Sequence, residues 1–96
     1  MSILHTISRS PSSSLLESCS SLMQDGDAIL FIEDGAYYCN DDAALNKLDT
    51  NTRLFTLRDD MVARGLRDRC SAKAEPISID RFVEICCEYD KVVSWF

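Results

Sequence analysis

The chain has 96 residues, 46% of them hydrophobic and 27% charged, with a formal net charge of −6. That length holds one domain with a single modest core, here residues 1–96, and the composition is that of a globular chain, not a disordered one. An acidic surface repels phosphate backbones, no apolar run approaches the ~20 residues of a membrane span, and Met1–Ile7 lacks the basic and long apolar regions of a secretion signal; no direct nucleic-acid or membrane binding is expected, and a cytoplasmic location is.

Ile3 to Ile7 is a short β-rich run that ends in Ser8-Arg9-Ser10-Pro11. A helix follows. Ser10 with Pro11 reads as N-cap and first helical position, and Ser14-x-x-Glu17 reads as a capping box one turn later. Leu15, Leu16, Cys19, Leu22 and Met23 form one apolar stripe at helical spacing, and Gly26 is expected to end the helix.

Ala28 to Ile32 is a continuous apolar run, the habit of a strand buried on both faces of a parallel sheet. Asp34-Gly35 is a turn signal, and residues 43–48 suggest a short helix. Arg53 to Leu57 is the third strand. Asp59 to Arg64 predicts a short helix closed by Gly65, with an Asp60/Arg64 pair and Leu66 folding back on Met61 or Val62. Pro76 is expected to precede a fourth strand, Ile77 to Ile79. Asp80 is expected to cap a helix with Phe82, Val83, Ile85, Cys86 and Tyr89 on its inner side, and Lys91 to Phe96 forms the last strand.

Five strands alternating with helices imply an α/β fold: one three-layer domain, a five-stranded, mainly parallel sheet flanked by helices, in the manner of flavodoxin-like chains. The pattern does not yield the strand order.

The five cysteines, Cys19, Cys39, Cys70, Cys86 and Cys87, are odd in number and none pairs at C-x-x-C spacing, while the one histidine, His5, is distant in sequence. Neither a disulfide framework nor a metal site is expected. No Gly-x-Gly-x-x-Gly, Walker loop or Gly-x-Ser-x-Gly elbow is present, so no nucleotide cofactor and no serine-type hydrolysis is expected.

The start Ile3–Pro11, the Asp25-Gly26-Asp27 lead into a strand closing with Glu33-Asp34-Gly35, the stretch Leu57–Leu66, and the ending Ile77–Val83 with Val92–Trp95 together resemble the TusB/DsrH family, in the family's order and over nearly the whole length. The resemblance implies a DsrE-like fold and a subunit of a heterohexamer, two copies each of three related α/β chains. Its partners would be TusC/DsrF-like and TusD/DsrE-like subunits, which take persulfide sulfur from a TusA-like carrier and pass it to a TusE-like carrier for 2-thiolation of the tRNA wobble uridine. In sulfur oxidisers the equivalent complex serves sulfur oxidation. The main persulfide cysteine would lie in the TusD/DsrE-like partner.

Two readings of Cys19 follow. DsrH-type members are similar in having a cysteine in the first helix, which would make Cys19 a persulfide carrier reacting through its thiolate. Its place in the Leu15/Leu22/Met23 stripe reads instead as a buried small hydrophobe. In the first reading the chain is a sulfurtransferase subunit, in the second a structural one, and an unrelated doubly wound binding domain is the third possibility. Cys39 lies where α/β sites form, beyond strand two, and Cys70, Cys86 and Cys87 read as packing. His5 reads as a core or interface histidine with satisfied nitrogens, and Glu33 and Asp34 as turn chemistry. Arg58, Arg64, Arg67 and Arg69 read as a solvated face paired with Asp59, Asp60 and Asp68. Tyr37, Tyr38, Trp95 and Phe96 are the candidate interface anchors, because partner contacts favour aromatics.

Overall fold

The structure is a computed structural model and describes residues 2–66 and 69–96. The chain runs β1 (Ile3–Ile7), α1 (Leu15–Leu22), β2 (Ala28–Phe31), a 3-10 segment (Glu33–Asn40), α2 (Asp42–Leu45), β3 (Arg53–Leu57), α3 (Arg58–Ala63), β4 (Ala74–Ile77), α4 (Ile79–Glu88) and β5 (Lys91–Trp95). The five strands form one sheet in the order β4-β3-β2-β1-β5, and all four pairings are parallel.

This order decides which helix covers which face. The chain steps from β1 to β2, β3 and β4 in one direction, then returns across the sheet to β5 on the far edge. Right-handed crossovers put the connections of a one-way walk on one face and the returning connection on the other. Met61 of α3, Leu16 and Cys19 of α1, and Tyr38 and Cys39 of the 3-10 segment accordingly pack with Ile7, Ile29, Phe31 and Leu54 on the first face. Among the described residues α4 covers the second, through Ile85 against Leu4, Ala28, Leu30, Phe55 and Ile77. Burying each large aliphatic or aromatic side chain contributes roughly 1.5–3 kcal/mol of transfer free energy.

The helix ends follow local chemistry. α1 starts at Leu15 with Ser14 as its N-cap residue, so the later of the two expected starts is the one adopted, although the Ser14 hydroxyl makes no cap bond. Ser10 and Pro11 stay outside the helix, where the Ser13 hydroxyl donates to the Ser10 carbonyl and the Ser10 and Ser12 hydroxyls bond each other at 2.7 Å. Gly26, at φ +91°, makes the turn into β2 and not the helix end, which falls at Met23. After α3 the Leu66 amide donates to the Met61 carbonyl at 2.9 Å and Gly65, at φ +70°, to Val62 at 3.1 Å, the expected Schellman close.

Two further expectations are corrected. β4 begins at Ala74 and includes Pro76, because an edge strand has a side on which a missing N–H leaves no ladder bond unmade. Ser78, not Asp80, caps α4, its hydroxyl accepting from the Arg81 amide at 3.2 Å. The Asp34-Gly35 signal falls in the 3-10 segment. The positive φ there is carried by Glu33 (+50°), and Gly35 serves packing: a Cβ on it would collide with the Ile7 carbonyl oxygen.

Candidate partner interface

β5 and α4 form the least covered part of the molecule. Every residue of β5 from Lys91 to Ser94 is exposed and Trp95 is half-buried. On α4, Phe82, Ile85, Cys86 and Tyr89 turn inward as expected, but Val83 does not: it is 61% exposed, in line with exposed Ile79 and Cys87 one turn to either side. Helical spacing is the reason, since Val83 sits 100° round the helix from Phe82 and follows the Ile79/Cys87 row (i, i+4, i+8). The opposite flank is charged, with Arg81 bonded to Glu88 at 2.7 Å and near Glu84 at 3.9 Å. With a right-handed crossover from β4 to β5, the apolar flank turns toward β5, whose Val92 shares the α4 face of the sheet with its register partner Leu4.

Of the large apolar side chains exposed among the described residues, Ile79, Val83, Val92, Val93 and Phe96 all belong to this region, whereas Leu22, Tyr37 and Val62 are scattered over other elements. Exposed apolar side chains gathered at one edge of the sheet mark an interaction surface.

A buried polar network holds β5 in place. The Trp95 indole N–H donates to His5 Nδ1 at 3.1 Å, and His5 Nε2 lies 3.1 Å from the Asp27 carboxylate. Because Nδ1 accepts, the neutral ring carries its proton on Nε2 and donates it to Asp27. Asp27 also accepts from the Ile3 amide at 2.9 Å and the Gln24 amide at 3.2 Å. Burial by itself would raise the Asp27 carboxyl pKa, but these donors outweigh it and hold it below the usual 3.8. Strands β1 and β5 and the turn before β2 thus meet at one carboxylate. The expectation of a core histidine with both nitrogens satisfied is met; its partners were not visible in the sequence, because Asp27 and Trp95 meet His5 only once the strand order is known.

The other expected residues separate. Phe96 is 82% and Tyr37 41% exposed. Tyr38 is corrected: it lies in the core, stacked on Phe31 with ring centroids 5.2 Å apart, because successive residues of a 3-10 helix point about 120° apart and send Tyr37 outward and Tyr38 inward. Its hydroxyl and that of Thr56 are buried without a hydrogen-bond partner among the described residues. Cys19 is 0% exposed, and burial, reinforced by the nearby Asp27 charge, pushes its thiol up to about 12. That is the environment of an inert packing thiol, since the thiolate is the nucleophile. Arg64 pairs with Asp34 at 3.0 Å and, more loosely, with Asp60 at 3.8 Å; Arg67 and Asp68 lie outside the described residues. Among the described residues no three His, Cys, Asp or Glu side chains converge to hold a metal ion, and no helix is long and apolar enough to cross a membrane.

The family described as DsrH like protein matches residues 9–92. Among curated relatives, the protein TusB of Yersinia enterocolitica is 34% identical over 95 residues, 97% of this chain and 100% of the relative. TusB of Pectobacterium carotovorum is 32% identical over 95 residues and that of an Enterobacter species 30% over 95, each with the same coverage of 97% and 100%.

Proposed function

The chain belongs to the DsrH-like family, and from that membership we propose that it is a non-catalytic subunit of a sulfur-relay complex, cytoplasmic, serving 2-thiolation of the tRNA wobble uridine. The observation that carries this reading is the family match over residues 9–92 combined with TusB relatives that align over their whole length. In this reading its partners are a TusC/DsrF-like and a TusD/DsrE-like subunit in a heterohexamer, and sulfur leaves through a TusE-like carrier. Cys19 packs the core and carries no persulfide, a role supported by its complete burial. The apolar row of α4, the β5 edge and Phe96 make the subunit contact. Tyr37 adds a separate anchor.

The test is recovery of the tagged chain from its host without cross-linking. The reading expects two similar-sized α/β chains in equal amounts, one with a reactive cysteine; a clean monomer removes it. Cys19→Ala should leave tRNA 2-thiouridine unchanged. Loss of thiolation from an intact complex would assign Cys19 to the chemistry and end the non-catalytic reading.

A further inference from the structure

Two thiols take no part in the proposed partner surface. Cys39, near the end of the 3-10 segment, is fully buried; Cys70, on the connection between α3 and β4, is half-exposed. The two stretches are joined directly, the Ser71 amide donating to the Cys39 carbonyl at 2.6 Å, and Cys70 packs against the core cluster that contains Cys39. The two side chains lie near enough that each thiol influences the other's ionisation. Cys70 Sγ also lies 3.4 Å from the Ser71 carbonyl oxygen and 3.6 Å from that of Ala74. The hydrogen bond from Ser71 to Cys39 holds the two stretches side by side, and a disulfide needs α-carbons roughly 4.4–6.8 Å apart.

We propose that Cys39 and Cys70 form a redox-modification site, which a peroxide closes to an intramolecular disulfide. The Cys70 thiolate attacks one oxygen of hydrogen peroxide. The O–O bond breaks, the sulfur is oxidised by two electrons to a sulfenic acid, and the departing hydroxide takes up the proton that the thiol released. The Cys39 sulfur then attacks the sulfenic sulfur; the S–O bond breaks and the oxygen leaves as water with the Cys39 proton. In sum, two thiols and one hydrogen peroxide give one disulfide and two waters.

Exposure assigns the roles. Burial pushes the Cys70 thiol up as well, with Cys39 lowering it in part, but Cys70 is half-exposed and can meet the oxidant from solvent. Cys39, pushed up to about 12 by burial first and by the Cys70 sulfur second, is a poor thiolate by itself and reacts only with a sulfur already beside it. Cys19 is buried away from solvent, and Cys86 and Cys87 are successive residues of α4 that point apart. The site is independent of the sulfur-relay reading and stands or falls without it.

The experiment uses the full chain, treated with hydrogen peroxide, alkylated, and digested with trypsin and Glu-C. That digestion separates Cys19 (residues 18–33), Cys39 (34–47) and Cys70 (70–73). The expected product is a cross-link of 34–47 with 70–73, lighter by about 2 Da than the two thiol peptides together and abolished by dithiothreitol. In Cys39→Ser the Cys70 sulfenic acid should persist and be trapped by dimedone. In Cys70→Ser, oxidation of Cys39 should slow by about tenfold or more. Cys39→Ala replaces Cys39→Ser if the buried hydroxyl unfolds the chain, and the wild-type cross-link decides in either case. Full alkylation of both cysteines after peroxide has consumed Cys87, or equal oxidation of Cys39 in Cys70→Ser, overturns the proposal.

Discussion

At one edge of the sheet β4 sets Pro76 in mid-strand with exposed Glu75 beside it, and buries Ala74 and Ile77 at its two ends. At the other, β5 presents Lys91-Val92-Val93-Ser94 to solvent, with no proline and, among the described residues, no covering element. Proline and charge are the devices by which sheets blunt an edge against further pairing, and β4 carries both. β5 carries one lysine at its start. The two edges also differ in what holds them: β4 is fastened by apolar burial, β5 by the polar chain Trp95–His5–Asp27. One edge is finished within the chain, and the other has the character of a surface to be covered.

The largest effect should come from the finished edge. Ile77→Ala removes a side chain that is almost fully buried against Phe55 and Ile85, and should lower stability by about 3 kcal/mol in urea denaturation. A loss under about 1 kcal/mol would mean that β4 is not fastened by burial.

Next comes the polar fastening of β5. Asp27→Ala strips three donors of a buried charged acceptor and should cost about 2 kcal/mol or more at neutral pH. The pH dependence has a definite sign. The folded-state pKa lies below the unfolded 3.8, so the contribution is fully present well above pH 3.8 and is lost as pH falls through the lower folded value. Denaturation midpoints between pH 6 and pH 2.5 should therefore fall more steeply for the native chain than for Asp27→Asn, and equal slopes would place the acid sensitivity elsewhere.

Trp95→Phe keeps an aromatic ring but leaves His5 Nδ1 without its donor, and should cost about 1 kcal/mol. Deuterium exchange of the Val93 and Trp95 amides should rise in this variant while that of β3 stays put.

The smallest effect on the fold belongs to the open edge. Val83→Asp and Val92→Asp alter exposed positions and should change the stability of the isolated chain by less than about 0.5 kcal/mol each. Together they should abolish recovery of partner subunits. Retained partners would move the interface away from α4 and β5.

Much of this was legible from residue order alone. β1, β2, β3 and β5 are apolar runs bounded by polar turns, and the Schellman close at Gly65-Leu66 is written in glycine and leucine spacing. The position of β4 was not, because Pro76 reads as a strand breaker until the strand is known to lie at an edge. Val83 was misassigned because periodicity names an apolar stripe but not its limits, and Tyr38 because aromatic character alone does not tell a core ring from an interface anchor. The family resemblance supplied a function, and no catalytic constellation in the residues contradicted it.

The sequence by itself determined the alternation of strand and helix, the parallel character of the sheet, and the family, because these depend on local period and on residues in chain order. Tertiary structure alone decided that the last strand crosses to the far side of the first. That crossing creates the Trp95–His5–Asp27 network and leaves β5 open while β4 is closed, while packing between distant stretches sets the Cys70 segment beside Cys39. Each of these joins residues far apart in the chain, and neither hydrophobic period nor turn chemistry carries information across that distance.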